Sequence, residues 1–238
     1  MSSFEEIGFF SAETERNVAA IRSQNASLYT ELDAEIRKAF EILGSGYSPQ
    51  SLADAAGLLH FVRCIEACQA TAILAERGVS SASFSVLRTA FECLFMACAL
   101  WRKPEMLERH EKTHDTERIL QAKEMLRIAD KHLITGPSRA LLEEVATEQS
   151  PGDKLSVFDS AAAADLLDLY QIIWRGSALA GAHATVRSMD NYCFEQPDGS
   201  FLLDLKPNYE RVDFFLGLVM TCLRTAFARY QELLDRED

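Results

Sequence analysis

Residues Val79 to Trp101 read VSSASFSVLRTAFECLFMACALW. Neither Gly nor Pro interrupts the run after Ser80, and at ~1.5 Å per residue it makes a rod roughly 30 Å long, the width of a small domain. Phe84, Val86, Leu87, Ala90, Phe91, Cys93, Leu94, Phe95, Met96, Cys98, Leu100 and Trp101 point in nearly every direction around such a rod, which predicts a central helix buried on most sides. Gly78 suits the position that closes a preceding helix, and Ser80 is expected to cap this one. The polar exceptions, Ser81, Ser85, Arg88 and Glu92, recur at helical spacing and share one narrow line on the surface. A bilayer span needs ~20 apolar residues, and the charge-free run from Cys93 to Trp101 is far shorter. Soluble core is the expectation.

On the amino-terminal side, Val18, Ile21, Leu28, Leu32, Ile36, Phe40 and Leu43 recur at helical spacing between Ser11 and Leu43. They predict one long helix, or two in line interrupted around Ser23 to Asn25, ended by Gly44-Ser45-Gly46 and Pro49. Ser51 to Arg77 forms the next, with Leu59, Val62, Ile65 and Ile73 expected inward and His60, Arg63 and Glu66 on its polar side. The short turn after it requires antiparallel packing against the central helix.

On the other side, Pro104 opens a strongly charged, peripheral helix from Glu105 to Lys131. Gly136-Pro137 breaks the chain, a short helix covers Ser138 to Glu148, and Ser150-Pro151-Gly152-Asp153 is a loop. A helix from about Ala161 is expected to bend near Gly176 or Gly181. Tyr192-Cys193-Phe194 and Phe201-Leu202-Leu203 flank Pro197-Asp198-Gly199-Ser200 as a hairpin, and Tyr209 to Leu234 is the final helix. The fold class expected is all-α, a multi-helix bundle with a small β-hairpin before the C-terminal helix. Residues 1–238 read as a single helical domain: an arm (1–50), core helices (51–190), the hairpin (191–205) and the C-terminal helix (208–236).

Hydrophobic residues at 48% and charged residues at 25% of 238 argue against disorder. A net charge of −12 excludes a surface that grips nucleic acid over its whole extent. From Arg102 to Arg139, however, nine Lys or Arg stand against seven Asp or Glu, and His110, His114 and His132 lie there too. If any face meets an anionic partner, this segment is the candidate. No charged-then-apolar leader opens the chain, so the compartment expected is cytoplasmic, with no membrane partner. There the six cysteines read as reduced core residues rather than disulfides.

The helix carrying Arg88 and Glu92, the later segment YQIIWRGSALAGAHAT, the hairpin and the apolar terminal helix together resemble a widespread bacterial family catalogued as a domain of unknown function. That family's Arg-x-x-x-Glu helix and Ser-to-His helix map onto Arg88, Glu92, Ser177 and His183. More distantly the chain is similar to HEPN domains, compact all-α modules, many of which are ribonucleases of toxin or anti-phage systems. The resemblance implies an all-α fold and, at its furthest, action on RNA.

Three constellations are candidates for chemistry. Arg88, Glu92 and His183, with Ser177, could hold an anionic or polar ligand or position a proton transfer; the plain alternative is a structural ion-pair network. RHEKTHD, Arg109 to Asp115, resembles the HEPN ribonuclease motif, with Arg109 holding phosphate oxygens and His114 moving protons. Arg127 and His132 satisfy the same loose spacing. Within it HEKTH matches a zinc signature, His110 and His114 binding metal and Glu111 activating water, though no third ligand is evident. The plain alternative is a solvated helix face. Cys64 and Cys68, one turn apart, read as core packing or half of a metal site lacking its other half. No cofactor is required, zinc being the one in view. RNA or a partner protein, and a homodimer, are the partners expected.

Overall fold

The computed structural model describes residues 2–44, 48–129, 134–182 and 192–235. After a short turn of helix α1 (Phe4–Ile7), the amino-terminal arm forms α2 (Ala12–Gln24) and α3 (Ala26–Gly44), broken at Asn25. Ser11 caps α2 by accepting from the Thr14 amide at 3.2 Å. The core pair is α4 (Leu52–Glu76) and α5 (Ser80–Arg102), an antiparallel hairpin. Ser51 caps α4 through the Asp54 amide at 3.1 Å. Val79 stands at the cap position of α5, and Ser80 instead donates to the Asn208 carbonyl at 3.2 Å.

Between α4 and α5, Gly78 has φ of +76°, a conformation that side chains with a Cβ resist. A Cβ there would also meet Pro207 at 2.5 Å, because the 207–208 segment lies on this turn and the Asn208 amide donates to the Gly78 carbonyl at 3.0 Å. The turn therefore fixes where the carboxy-terminal part of the chain approaches the core.

Then come α6 (Met106–Arg127), α7 (Gly136–Thr147) and α8 (Val157–Ala164). The helix expected from about Ala161 starts earlier and stops at Asp165, which takes a left-handed conformation (φ 59°). A second helical segment follows, made of α9 (Leu167–Leu169), a π-helical turn (Tyr170–Trp174), α10 (Arg175–Ser177) and another π-helical turn (Ala178–Ala182). Strands β1 (Cys193–Glu195) and β2 (Phe201–Leu203) pair antiparallel, Phe194 opposite Leu202, and α11 (Val212–Leu234) closes the molecule. The architecture is all-α, with one small hairpin before the C-terminal helix.

The core is where α4, α5, α8 and α11 meet. Phe61, Leu87, Phe91, Leu94, Phe95, Leu100, Phe215, Leu216 and Leu223 are fully enclosed, and α5 is the buried centre its sequence implies. By length and composition α4 and α5 could each cross a bilayer. Most of the apolar part of α5 is instead covered by other helices, as in a soluble core helix.

The expected inward face of α4 is a correction. Of Leu59, Val62, Ile65 and Ile73 only Ile65 is buried; the other three are exposed, and Phe61, Cys64, Cys68, Ala72 and Ala75 face the core. A helix that is apolar on nearly all sides offers no unique inner face, and small residues win because they let α5 approach closely. At Gly57 an added Cβ would fall 2.3 Å from Trp101 Nε1.

Candidate functional site

The polar stripe of α5 is covered along its length by the π-helical segment and the start of the hairpin. Arg88 Nε and Glu92 Oε1 form an ion pair at 3.2 Å. Trp174 donates its indole N–H to the same Glu92 oxygen at 2.9 Å, and the Arg88 guanidinium lies 4.1 Å from the centre of the Trp174 ring. One carboxylate thus binds the cation and the indole whose face the cation covers, an arrangement worth about 1–2 kcal/mol when partly desolvated. Further along, Ser85 Oγ donates to the Gly181 carbonyl at 3.4 Å and Tyr192 donates to Ser81 Oγ at 2.9 Å.

Trp174 and Gly181 stand seven residues apart, as do Arg88 and Ser81, so the two helices run antiparallel in matched register. Gly181 permits the contact: a Cβ there would lie 3.0 Å from the Ser81 carbonyl oxygen. Each π turn admits an extra residue and re-aims the side chains that follow, which is why such turns concentrate at functional sites.

Beside this contact lies a groove of about 540 Å³, lined by Phe84 of α5, Ile172, Ile173, Gly176, Ser177 and Ala180 of the π-helical segment, and Arg211, Phe214 and Leu218 at the start of α11. The lining is apolar except for Ser177, which is buried, and Arg211, which is exposed and holds its guanidinium 5.8 Å from the Phe84 ring centre. Phe214 is half exposed because it forms the groove wall. Ser177 lines the groove, whereas Arg88 and Glu92 brace its wall through Trp174 rather than line it. His183 lies outside the described residues, as does His132.

The RHEKTHD segment is built differently. Arg109 pairs with Asp153 at 3.3 Å; Thr113 accepts from the Leu155 amide at 2.7 Å and Thr116 from the Gly152 amide at 3.2 Å. This face of α6 thus holds the loop around residues 150–155. His110 is half-buried against His60 of α4, their rings edge to face at 5.5 Å, while Glu111 and His114 are exposed. Burial, with His110 and Arg63 nearby, pushes His60 down to about 4; burial and His114 lower His110. Arg109 is thus engaged by Asp153 while His114 faces solvent, and His60 is the neighbour of His110 that sequence spacing did not disclose.

Cys64 and Cys68 gain a third thiol. Cys222 of α11 brings its Sγ within 3.4 Å of Cys64, and all three sulfurs lie within 4.8 Å of one another, buried. No spacing rule connects Cys222 to two residues more than 150 positions away; only the packing of α11 on α4 does.

A family model described as a family of unknown function (DUF5677) matches residues 54–201, from the first turn of α4 to the start of β2. No curated protein and no solved structure matches the chain.

Proposed function

We propose a ligand-binding function for this chain, which belongs to the family of unknown function DUF5677: the groove between α5, the π-helical segment and α11 takes a small amphipathic molecule with an apolar body and an anionic end. The observation that carries this reading is the groove itself, an apolar cleft within the ~300–1,000 Å³ of small-molecule sites, with a single guanidinium at its edge. Phe84, Ile172, Ile173, Phe214 and Leu218 supply the apolar contact and Arg211 the charge that orients the ligand. The Arg88, Glu92 and Trp174 cluster keeps the wall in place. No bond-making step is invoked.

The HEPN-like ribonuclease reading would use Arg109 and His114, and it has less support because Arg109 is engaged by Asp153 and the chain is strongly acidic. The zinc hydrolase reading gains His60 as a neighbour of His110, yet His60, His110 and His114 do not converge on one point within metal-binding distance.

The test is titration with anilinonaphthalene sulfonate, an apolar body with one anionic group, followed by its own fluorescence. Saturable binding is expected, abolished in Leu218→Glu and weakened roughly tenfold in Arg211→Glu, the loss of one charge-assisted contact. Binding that is equally strong in both folded variants would overturn the reading. Cleavage of RNA by the parent and not by His114→Ala would replace it with the ribonuclease.

A further inference from the structure

Cys64 and Cys68 stand one turn apart on α4, and Cys222 faces them from α11. Their Sγ atoms lie within 4.8 Å of one another, those of Cys64 and Cys222 at 3.4 Å, and each residue is completely shielded from solvent. Three sulfurs bound to one ion at a metal–sulfur distance of ~2.3 Å sit about 3.7–4.0 Å apart. The observed spacing brackets that value, so small side-chain shifts would bring all three onto a common ion. Among the described residues no His or carboxylate adds a fourth ligand, whereas structural zinc takes four. An all-sulfur, three-membered, dry set matches a soft monovalent cation, for which thiolates are the preferred ligands.

We propose that Cys64, Cys68 and Cys222 form a three-sulfur site for copper(I). Binding exchanges thiol protons for the metal, the protons passing to solvent. The ion enters as the chain folds or when α4 and α11 part locally, so loading of the native protein is slow and the loaded protein resists unfolding. The site lies in the core, and its occupation is independent of any ligand in the groove.

The test uses full-length protein carrying Cys193→Ala, which removes the one cysteine not fully or nearly buried. Reduced protein is loaded anaerobically with copper(I) and then exposed to a chelator specific for that ion. Stoichiometric copper should remain, with three sulfurs around it in X-ray absorption and a raised thermal midpoint. Retention should fall by more than roughly tenfold in Cys68→Ser and Cys222→Ser and stay unchanged in Cys98→Ala. Loss of all copper to the chelator, retention unaltered in those serine variants, or retention of zinc in preference to copper would each overturn the proposal. If neither serine variant folds, as judged by circular dichroism, the parent decides it: fewer than three sulfurs around the copper overturns the site.

Discussion

His60 shows what burial does to a single side chain. Its Nδ1 is buried without a hydrogen-bond partner among the described residues, and His110 and Arg63 are the charges facing it. Its protonation therefore falls to about 4 in the folded protein from the ordinary 6.5. The unfolded chain then binds the proton first as pH drops, so the stabilisation is complete above 6.5 and lost between 6.5 and about 4. With His60 partly open to solvent, the loss should amount to about 1–2 kcal/mol. Urea unfolding of the parent and His60→Phe at about pH 7.5 and about pH 4.5 checks this, since carboxylates that titrate in the same window are common to both. Equal pH dependence in the two proteins would refute it. That His60 is polar was plain from its letter; that it meets His110 depended on α6 lying across α4.

At the scale of elements, the α4–α5 pair depends on how closely two helices approach. Gly57 sits where any Cβ would collide with the enclosed indole of Trp101. Gly57→Ala should therefore destabilise the protein by about 1–3 kcal/mol, although alanine is the better helix former by ~1 kcal/mol. Thermal unfolding followed by circular dichroism measures it, and a midpoint at or above the parent's would show that the indole yields freely. The extents of α4 and α5 were legible because apolar runs bounded by Ser51, Gly78 and Pro104 are local patterns. The inner face of α4 was not, because Leu59, Val62 and Ile73 are as apolar as Phe61 and Ile65 and only the size of the facing residues separates them. The two π turns were equally hidden: Gly176 and Gly181 marked the segment as irregular without telling which irregularity it holds.

For the whole molecule, stability is unevenly spread. The α5 helix is enclosed by α4, α8 and α11, whereas α7 buries no residue and α6 buries only Met106, Thr116, Ile119 and Ala122. Amides of α6 and α7 should exchange hydrogen faster than those of α5 by at least a factor on the order of 100; equal rates would mean that both helices open only with the core. The sequence alone determined the all-α class, the hairpin, the central helix and the polar stripe, since each is written in the spacing of residues close together in the chain. Tertiary structure alone decided that Trp174 meets Arg88 and Glu92, that Phe214 walls a groove, and that Cys222 joins Cys64 and Cys68. Periodicity reports which side of a helix is apolar, and the pairing of distant residues is set by which helices pack together and how closely small side chains let them come.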